Sequence, residues 1–285
     1  MPEILIILAC VPLYVVNAFC DKYASTLNGN KQNFLYNSIK FLVGSLCLVP
    51  IFIFGEGEKL GLGVICCGLA CGIMYAVSKT IMLKGYERTS IAFMTLCHSS
   101  GMILPCIIGN FWWSEPLSAL AIIGVLLAVV SIVLLKDSNG GNKKFDLLGV
   151  IIGVIVFLTS GGIMVAQKLM GRYFQSQSVS AFNLYSFFIA FLILACFVKP
   201  KVIDKKSMKP TALCAVGSAV SLTVISLVMT SLAGKVPSVV LFPLFNGVGI
   251  IAVCVGSIFA FKEKFSIKKA VGLIVGVLGL CLVNI

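Results

Sequence analysis

Charge is what this sequence has least of. Of its 285 residues only 11% are charged, just ten are acidic, and histidine occurs once. A soluble domain carries roughly 25% charged residues, so a surface with so few must face lipid over most of its area. Enzyme signatures are missing as well. There is no H-E-x-x-H, no G-x4-G-K-[ST] and no G-x-S-x-G, so zinc-peptidase, nucleotide-driven and nucleophile-elbow chemistry lack their residues. ATP-driven transport would need another subunit. The twelve cysteines include no paired C-x2-C, and most, among them Cys10, Cys66, Cys71 and Cys254, lie in apolar segments. They read as small packing side chains, not as a disulfide or metal framework, and no cofactor is expected.

Long apolar runs fill the chain instead, and its mean hydropathy is +1.09. Uncharged stretches run over 4–20, 41–55, 60–78, 89–114, 116–135, 147–167, 173–198, 210–234, 236–261 and 270–285. A bilayer core about 30 Å thick takes about 20 helical residues to cross. The stretch at 41–55 reaches that length if its helix starts near Phe34 and admits Lys40. In lipid only helices and closed barrels satisfy their own backbone, and runs such as LSALAIIGVLLAVVSIVLL do not alternate as barrel strands would. Met1-Pro2-Glu3 offers no positive n-region, so the first stretch reads as a span and not as a signal peptide.

The net charge of +12 would suggest nucleic acid in a soluble protein. Here it sits in short loops, where it sets orientation, and no nucleic-acid partner is expected. Odd-numbered loops hold sixteen Lys and Arg against four in even-numbered loops. That bias places the odd loops in the cytoplasm and both termini outside.

The sequence also repeats itself. FWWSEPLSALAIIGVLLAVVSIVLL at 111–135 matches FAFKEKFSIKKAVGLIVGVLGLCLV at 259–283, pairing Phe111 with Phe259, Glu115 with Glu263, Ser118 with Ser266 and Gly124 with Gly272. The same offset of 148 pairs Ser78 with Ser226 and Ser90 with Ser238; near the start of each half it becomes 146, pairing Lys22 with Lys168 and Asn37 with Asn183. Glutamate is rare here, so F-x3-E-x2-S-x5-G marks a duplication. A unit of five spans forces the second copy to enter from the opposite face. The expected fold is therefore an all-α integral membrane protein, ten transmembrane helices as two inverted five-helix repeats: 1–136, a linker 137–145, and 146–285. Inverted repeats are typical of secondary transporters, which bind near midplane at the repeat interface.

With W-S-E-P-L-S before Gly124 and F-K-E-K-F-S before Gly272, the sequence resembles the drug/metabolite transporter superfamily, in its EamA-type ten-helix branch. The resemblance covers about 3–283. It implies transport of a small organic metabolite, such as an amino acid, sugar, sugar phosphate or drug-like compound.

The candidate substrate site comprises His98, Asn246, Lys79, Ser78, Tyr75, Asn17 and Asn183. His98 falls eleventh in a helix expected over 88–113, near the bilayer centre, and its repeat mate is Asn246. A histidine can change charge between pH 5 and 8, so it reads either as a proton-coupling group or as a partner of a neighbouring helix. An ammonium at midplane costs roughly 2.5–3.5 kcal/mol on insertion scales. Lys79 either faces a cavity or snorkels to the interface, and Lys40 reads the same way; facing inward, both would favour an anionic group. Asn17, Asn37, Tyr75, Ser78, Gln167, Asn183, Tyr185 and Ser226 could line a cavity, although each alone is more often an interhelical hydrogen bond. Glu115 and Glu263 read as a proton or cation site, or as caps on the N-terminus of the following helix. Gly68 with Gly72, Gly149 with Gly153, and Gly272 with Gly276 read as close helix packing.

The leading function is alternating-access secondary transport in the cell membrane, the cytoplasmic membrane in a bacterium. The protein would act as a monomer or homodimer, with a coupled proton or an exchanged solute as driving force. The alternative is a membrane-embedded enzyme acting on a lipid or isoprenoid substrate. It would need acids or histidines clustered at one membrane face, and the ten scattered acids do not supply them.

Overall fold

Most of the apolar runs lie within one helix each, because a backbone in hydrocarbon can hydrogen-bond only to itself. The computed structural model describes residues 2–28, 32–55, 61–88, 97–115, 118–135, 147–174, 178–199, 205–261 and 267–283, and every regular element among them is helical. In chain order these are α1 (Pro2–Ala9), α2 (Val11–Asn28), α3 (Asn33–Phe54), α4 (Leu62–Arg88), α5 (Ile103–Trp113), α6 (Ala119–Leu135), α7 (Leu147–Tyr173), α8 (Val179–Ala195), α9 (Lys205–Ala233), α10 (Ser238–Phe261) and α11 (Ile267–Val283). Five stretches among the described residues are long and apolar enough to cross a membrane: Glu3–Asp21, Asn33–Phe54, Leu62–Met82, Leu147–Tyr173 and Ser207–Ala233. Helix α3 begins beside Phe34 and carries Lys40 within it, as its length required.

The chain forms two compact units, and each draws on both halves of the sequence. One unit holds 1–12, 84–165 and 236–285; the other holds 13–83 and 166–235. The second unit, built mainly from α2–α4 and α8–α9 with the end of α7, has a core of Phe41, Leu48, Ala76, Phe187, Ala190 and Leu194.

Contacts inside that second unit fix the direction of its helices. Along α3 the partners on the α8 side run backwards: Phe34 stacks on Phe197 just past α8, and Phe41 meets Phe187. Those helices are antiparallel. Along α4 they run forwards, Gly68 against Phe182 and Gly72 against Ser186. Helix α9 runs with α3, since Ser207 bonds Gln32 and Thr223 lies beside Gly44. Helix α7 runs with α9, through Gln167 on Ser226 and Gly171 beside Thr230. Helix α2 runs against α9: Ala24 shares a buried cluster with Ala215, and Asp21 bonds Ser218. Thus α2, α3 and α4 alternate in direction, and each opposes its repeat mate α7, α8 or α9. This is the inversion that a duplicated five-span unit requires. Phe41 and Phe187 are themselves mates at the offset of 146, with ring centroids 5.6 Å apart. A residue touching its own mate lies on the pseudo-two-fold axis, so this pair marks the midplane.

The glycines let the helices approach. A Cβ on Gly68 or Gly72 would press on the α8 backbone at Phe182 or Ser186. A Cβ on Gly171 would stand 2.6 Å from both the Thr230 carbonyl oxygen and the Gly234 nitrogen, backbone atoms that cannot rotate aside. On Gly217 it would stand an ordinary 3.4 Å from Cys20 Sγ. Overpacking costs about 1–3 kcal/mol. Gly171→Ala should therefore lower the thermal unfolding midpoint of the detergent-solubilised protein by several degrees, and Gly217→Ala should leave it nearly unchanged. Equal midpoints would contradict the α7–α9 contact.

In the first unit α6 and α11 pack together. Ser131 Oγ donates to the Gly272 carbonyl at 2.7 Å, and Gly276 faces Ser131. Ile122, Leu126 and Val130 on α6 and Val271, Ile274 and Leu278 on α11 are exposed, a lipid-facing surface. The helix expected over 88–113 is interrupted. Residues 97–100 make one helical turn, Gly101 and Met102 form a turn, and α5 starts at Ile103; 89–96 lie outside the described residues. Hydrogen bonds tighten here to a three-residue step, from the Gly101 N–H to His98 and from the Met102 N–H to Ser99. Ser160 Oγ donates to the His98 carbonyl at 2.8 Å. The cause is close contact with α7, where a Cβ on Gly101 would stand 2.7 Å from the Gly161 nitrogen.

Candidate functional site

Asn17 and Asp21 are four residues apart on α2, and Tyr36 and Lys40 are four apart on α3. Residues at that spacing share a helix face, and in the second unit the two faces meet. Lys40 Nζ donates to Asp21 Oδ1 at 3.0 Å, Asp21 Oδ2 at 3.2 Å and Asn17 Oδ1 at 3.0 Å. Tyr36 Oη also donates to Asp21 Oδ1. From α9, Ser218 Oγ lies 3.0 Å from both Asn17 Oδ1 and Asp21 Oδ1 and can give its one proton to either. The Lys79 ammonium on α4 stands within electrostatic range of Asp21 and Lys40.

This charged layer lies beside the midplane, because Lys40 immediately precedes Phe41. Lys40 is 2% exposed, whereas the Asp21 side chain keeps 36% of its surface open. A carboxylate within a span does not turn an open face to hydrocarbon, so the open face of Asp21 meets water. Lys40 is therefore held inside by an ion pair and does not reach for the interface, as snorkelling would have it.

A second, neutral layer mirrors the first. Gln167 is the repeat mate of Asp21, Asn183 of Asn37 and Ser226 of Ser78. Gln167 Nε2 donates to Ser226 Oγ at 3.3 Å, Ser226 Oγ donates to Asn183 Oδ1, and Asn183 Nδ2 donates to the Val179 carbonyl at 2.9 Å. The inverted direction of the mates puts this layer on the far side of the axis. Between them Tyr75 packs its ring on Phe41 and Phe187. Ser78 Oγ is buried and has no hydrogen-bond partner among the described residues. Among those residues no three His, Cys, Asp or Glu stand together as metal ligands would.

The profile of the EamA-like transporter family matches residues 1–136 and 147–285. The chain belongs to the EamA-like transporter family. Among curated proteins it is similar to "Uncharacterized transporter YxxF" of Bacillus subtilis (strain 168), 22% identical over 81 residues, which are 28% of this chain and 26% of that protein. The chain thus matches about a quarter of that relative's length. Among solved structures, one described as "Crystal structure of protein" shares the fold at a TM-score of 0.75 and 15% identity, covering 99% of this chain and 96% of the other. Family membership makes this a multi-pass membrane protein and favours transport over the membrane-enzyme alternative.

In this EamA-like chain the structure brings Asn17 into the charged layer with Lys79 nearby, and places Asn183 in the neutral layer. Tyr75 lies in the aromatic cluster, and Ser78 is buried beside it on α4. His98 and Asn246 belong to the other unit. His98 sits in the turn before Gly101. Asn246 is 8% exposed and donates Nδ2 to the Phe242 carbonyl of its own helix at 2.9 Å. Sequence reasoning passed over Asp21, Tyr36 and Ser218. The signal for Asp21 was available: it lies 146 residues before Gln167, which was already in the polar set.

The EamA-like F-x3-E motif also acquires a physical role. Glu115 caps a helix, but not the one that follows it. Its Oε2 accepts the backbone N–H of Ser238 at 2.7 Å, the first residue of α10 in the other repeat. The free N–H groups and positive dipole end of α10 suit a carboxylate, and Gly109 leaves room for it, since a Cβ there would meet Glu115 and Ser238. Glu263 lies outside the described residues.

Proposed function

We propose that this protein is a secondary active transporter that carries a small organic metabolite across the cell membrane, the cytoplasmic membrane in a bacterium, by alternating access. The observation that carries this is the Asp21–Lys40 pair, open to water on one side and set beside the pseudo-two-fold axis. Ionisable groups inside a membrane mark substrate or ion paths, and inverted-repeat transporters bind at midplane between their repeats. Helices α2–α4 come from one repeat and α7–α9 from the other, so the pair stands where both contribute. The two polar layers on either side of the axis supply the outer and inner ends of such a path, and exchange of the two repeats' conformations would open each end in turn. The functional form is a monomer or a homodimer.

Uptake by proteoliposomes from a panel of labelled amino acids, sugars and sugar phosphates tests this. Saturable uptake of at least one compound, lost in Asp21→Asn, is expected; no uptake from the whole panel in either membrane orientation would defeat it. The driving force is a coupled proton or an exchanged solute, and His98 separates the two. With proton coupling through His98, His98→Ala flattens the pH dependence of uptake between pH 5 and 8. An unchanged profile with full uptake would leave His98 a packing residue and favour exchange.

A further inference from the structure

Resting on the transport reading above, we infer that the substrate carries an anionic group, a carboxylate or a phosphate, and that Lys79 receives it. Lys40 has three N–H donors, and all three are taken by Asp21 and Asn17. Asp21 in turn accepts from Lys40 and Tyr36, with Ser218 within reach of the same oxygen. Two ammonium groups thus share one carboxylate, and the carboxylate is committed to Lys40. Lys79 feels both charges, yet no described residue gives it a hydrogen bond or an ion pair. A cation whose three donors find no partner among the described residues is costly in a span, and an anion arriving from the open side of Asp21 would offset that cost.

Ser78 is a second, independent pointer. Ser78 is 1% exposed, and its Oγ has no hydrogen-bond partner among the described residues. Its mate Ser226 spends the same hydroxyl on Asn183, with Gln167 donating to it. In the first repeat the Gln167 position is Asp21, a carboxylate with no N–H to donate and engaged by Lys40 and Tyr36, and Asn37, which like Asn183 donates Nδ2 to the carbonyl four residues back, takes no bond from Ser78. Ser78 is left with a donor for a guest beside Lys79. A cationic substrate fits badly: it would have to displace Lys40 from Asp21 and then sit against Lys79.

The test pairs each anion with a counterpart lacking the acid: acetate with acetamide, lactate with propane-1,2-diol, alanine with alaninamide, and glucose 6-phosphate with glucose. Two readouts are taken on the full chain, the unfolding midpoint in detergent at matched ionic strength and uptake in proteoliposomes. At least one anion should raise the midpoint by about 2–4 °C while its counterpart does not. Lys79→Gln should weaken that anion's binding at least tenfold, and Lys79→Arg should restore it, which separates loss of charge from loss of fold. The carboxylate and phosphate arms show which anion is taken. If no anion stabilises the protein, or Lys79→Gln binds anions as wild type does, the inference is wrong. Uptake confined to uncharged members would overturn it while leaving the transporter standing. Anion binding lost in Lys79→Gln without any uptake would do the reverse.

Discussion

Asp21→Asn should destabilise the protein severely, and Asp21→Asn combined with Lys40→Met should recover much of the loss. The single change keeps the shape of the side chain and removes its charge. Lys40, 2% exposed, would then keep its charge with only neutral acceptors and with Lys79 nearby. Breaking a buried pair by removing one partner costs about 3–5 kcal/mol, much of it the penalty on the charge left behind. The open third of Asp21 screens the pair, so the lower end of that range is expected. Removing the second charge as well removes the penalty, because a methionine fills the lysine's space without needing a counter-ion. Unfolding midpoints of the two single variants and the double variant close the cycle. A double variant as unstable as the sum of the singles would show that Asp21 and Lys40 act separately. Uptake should be lost in all three, because the charged layer is gone in each.

Glu115→Ala should be the next most damaging. Glu115 is 8% exposed, and its carboxylate accepts the Ser238 N–H at 2.7 Å. A hydrogen bond to a charged group is worth about 1.5–3 kcal/mol, and truncation also leaves the start of α10 without its acceptor. Glu115→Gln keeps a carbonyl that can take the same N–H and should cost less than half as much. The two substitutions distinguish a cap from an ion site. A cap predicts that Gln transports nearly as wild type at every pH, and a proton or cation site predicts that Gln is as inactive as Ala.

The helices were legible because hydrocarbon imposes them: most uncharged runs fall within one described helix, although 4–20 is divided between α1 and α2 and 89–114 is interrupted at Gly101. The ends were not, because charge served as the boundary marker, and this fold carries charge inside its helices. Asp21 falls just past the first run, 4–20, and so stayed outside the candidate site, although α2 continues to Asn28. Asn183 and Ser226 of the neutral half were legible through the repeat, which pairs them with Asn37 and Ser78, and Gln167 stood in the polar set without its mate Asp21. Tyr36 and Ser218 were not, because their mates Phe182 and Ala70 are apolar and the repeat gives no signal there. Glu115 shows a different limit. Sequence can say that a carboxylate suits a helix start, but only the tertiary contact says which helix.

The way the two halves share their units bears on how the chain is made. Asp21 meets Lys40 across 19 residues but Ser218 across 197. A nascent chain leaving the ribosome therefore holds α2 and α3 long before α9 exists. The early hairpin contains both members of the ion pair, so Asp21 and Lys40 can cancel each other's charge as they leave the translocon, and lipid has to accept neither of them bare. The late partner, Ser218, is a neutral hydroxyl that inserts cheaply on its own. Placing both members of this pair in the adjacent helices α2 and α3 thus frees their membrane entry from the order of assembly: it can be finished locally, and the long-range packing between repeats can wait for the rest of the polypeptide.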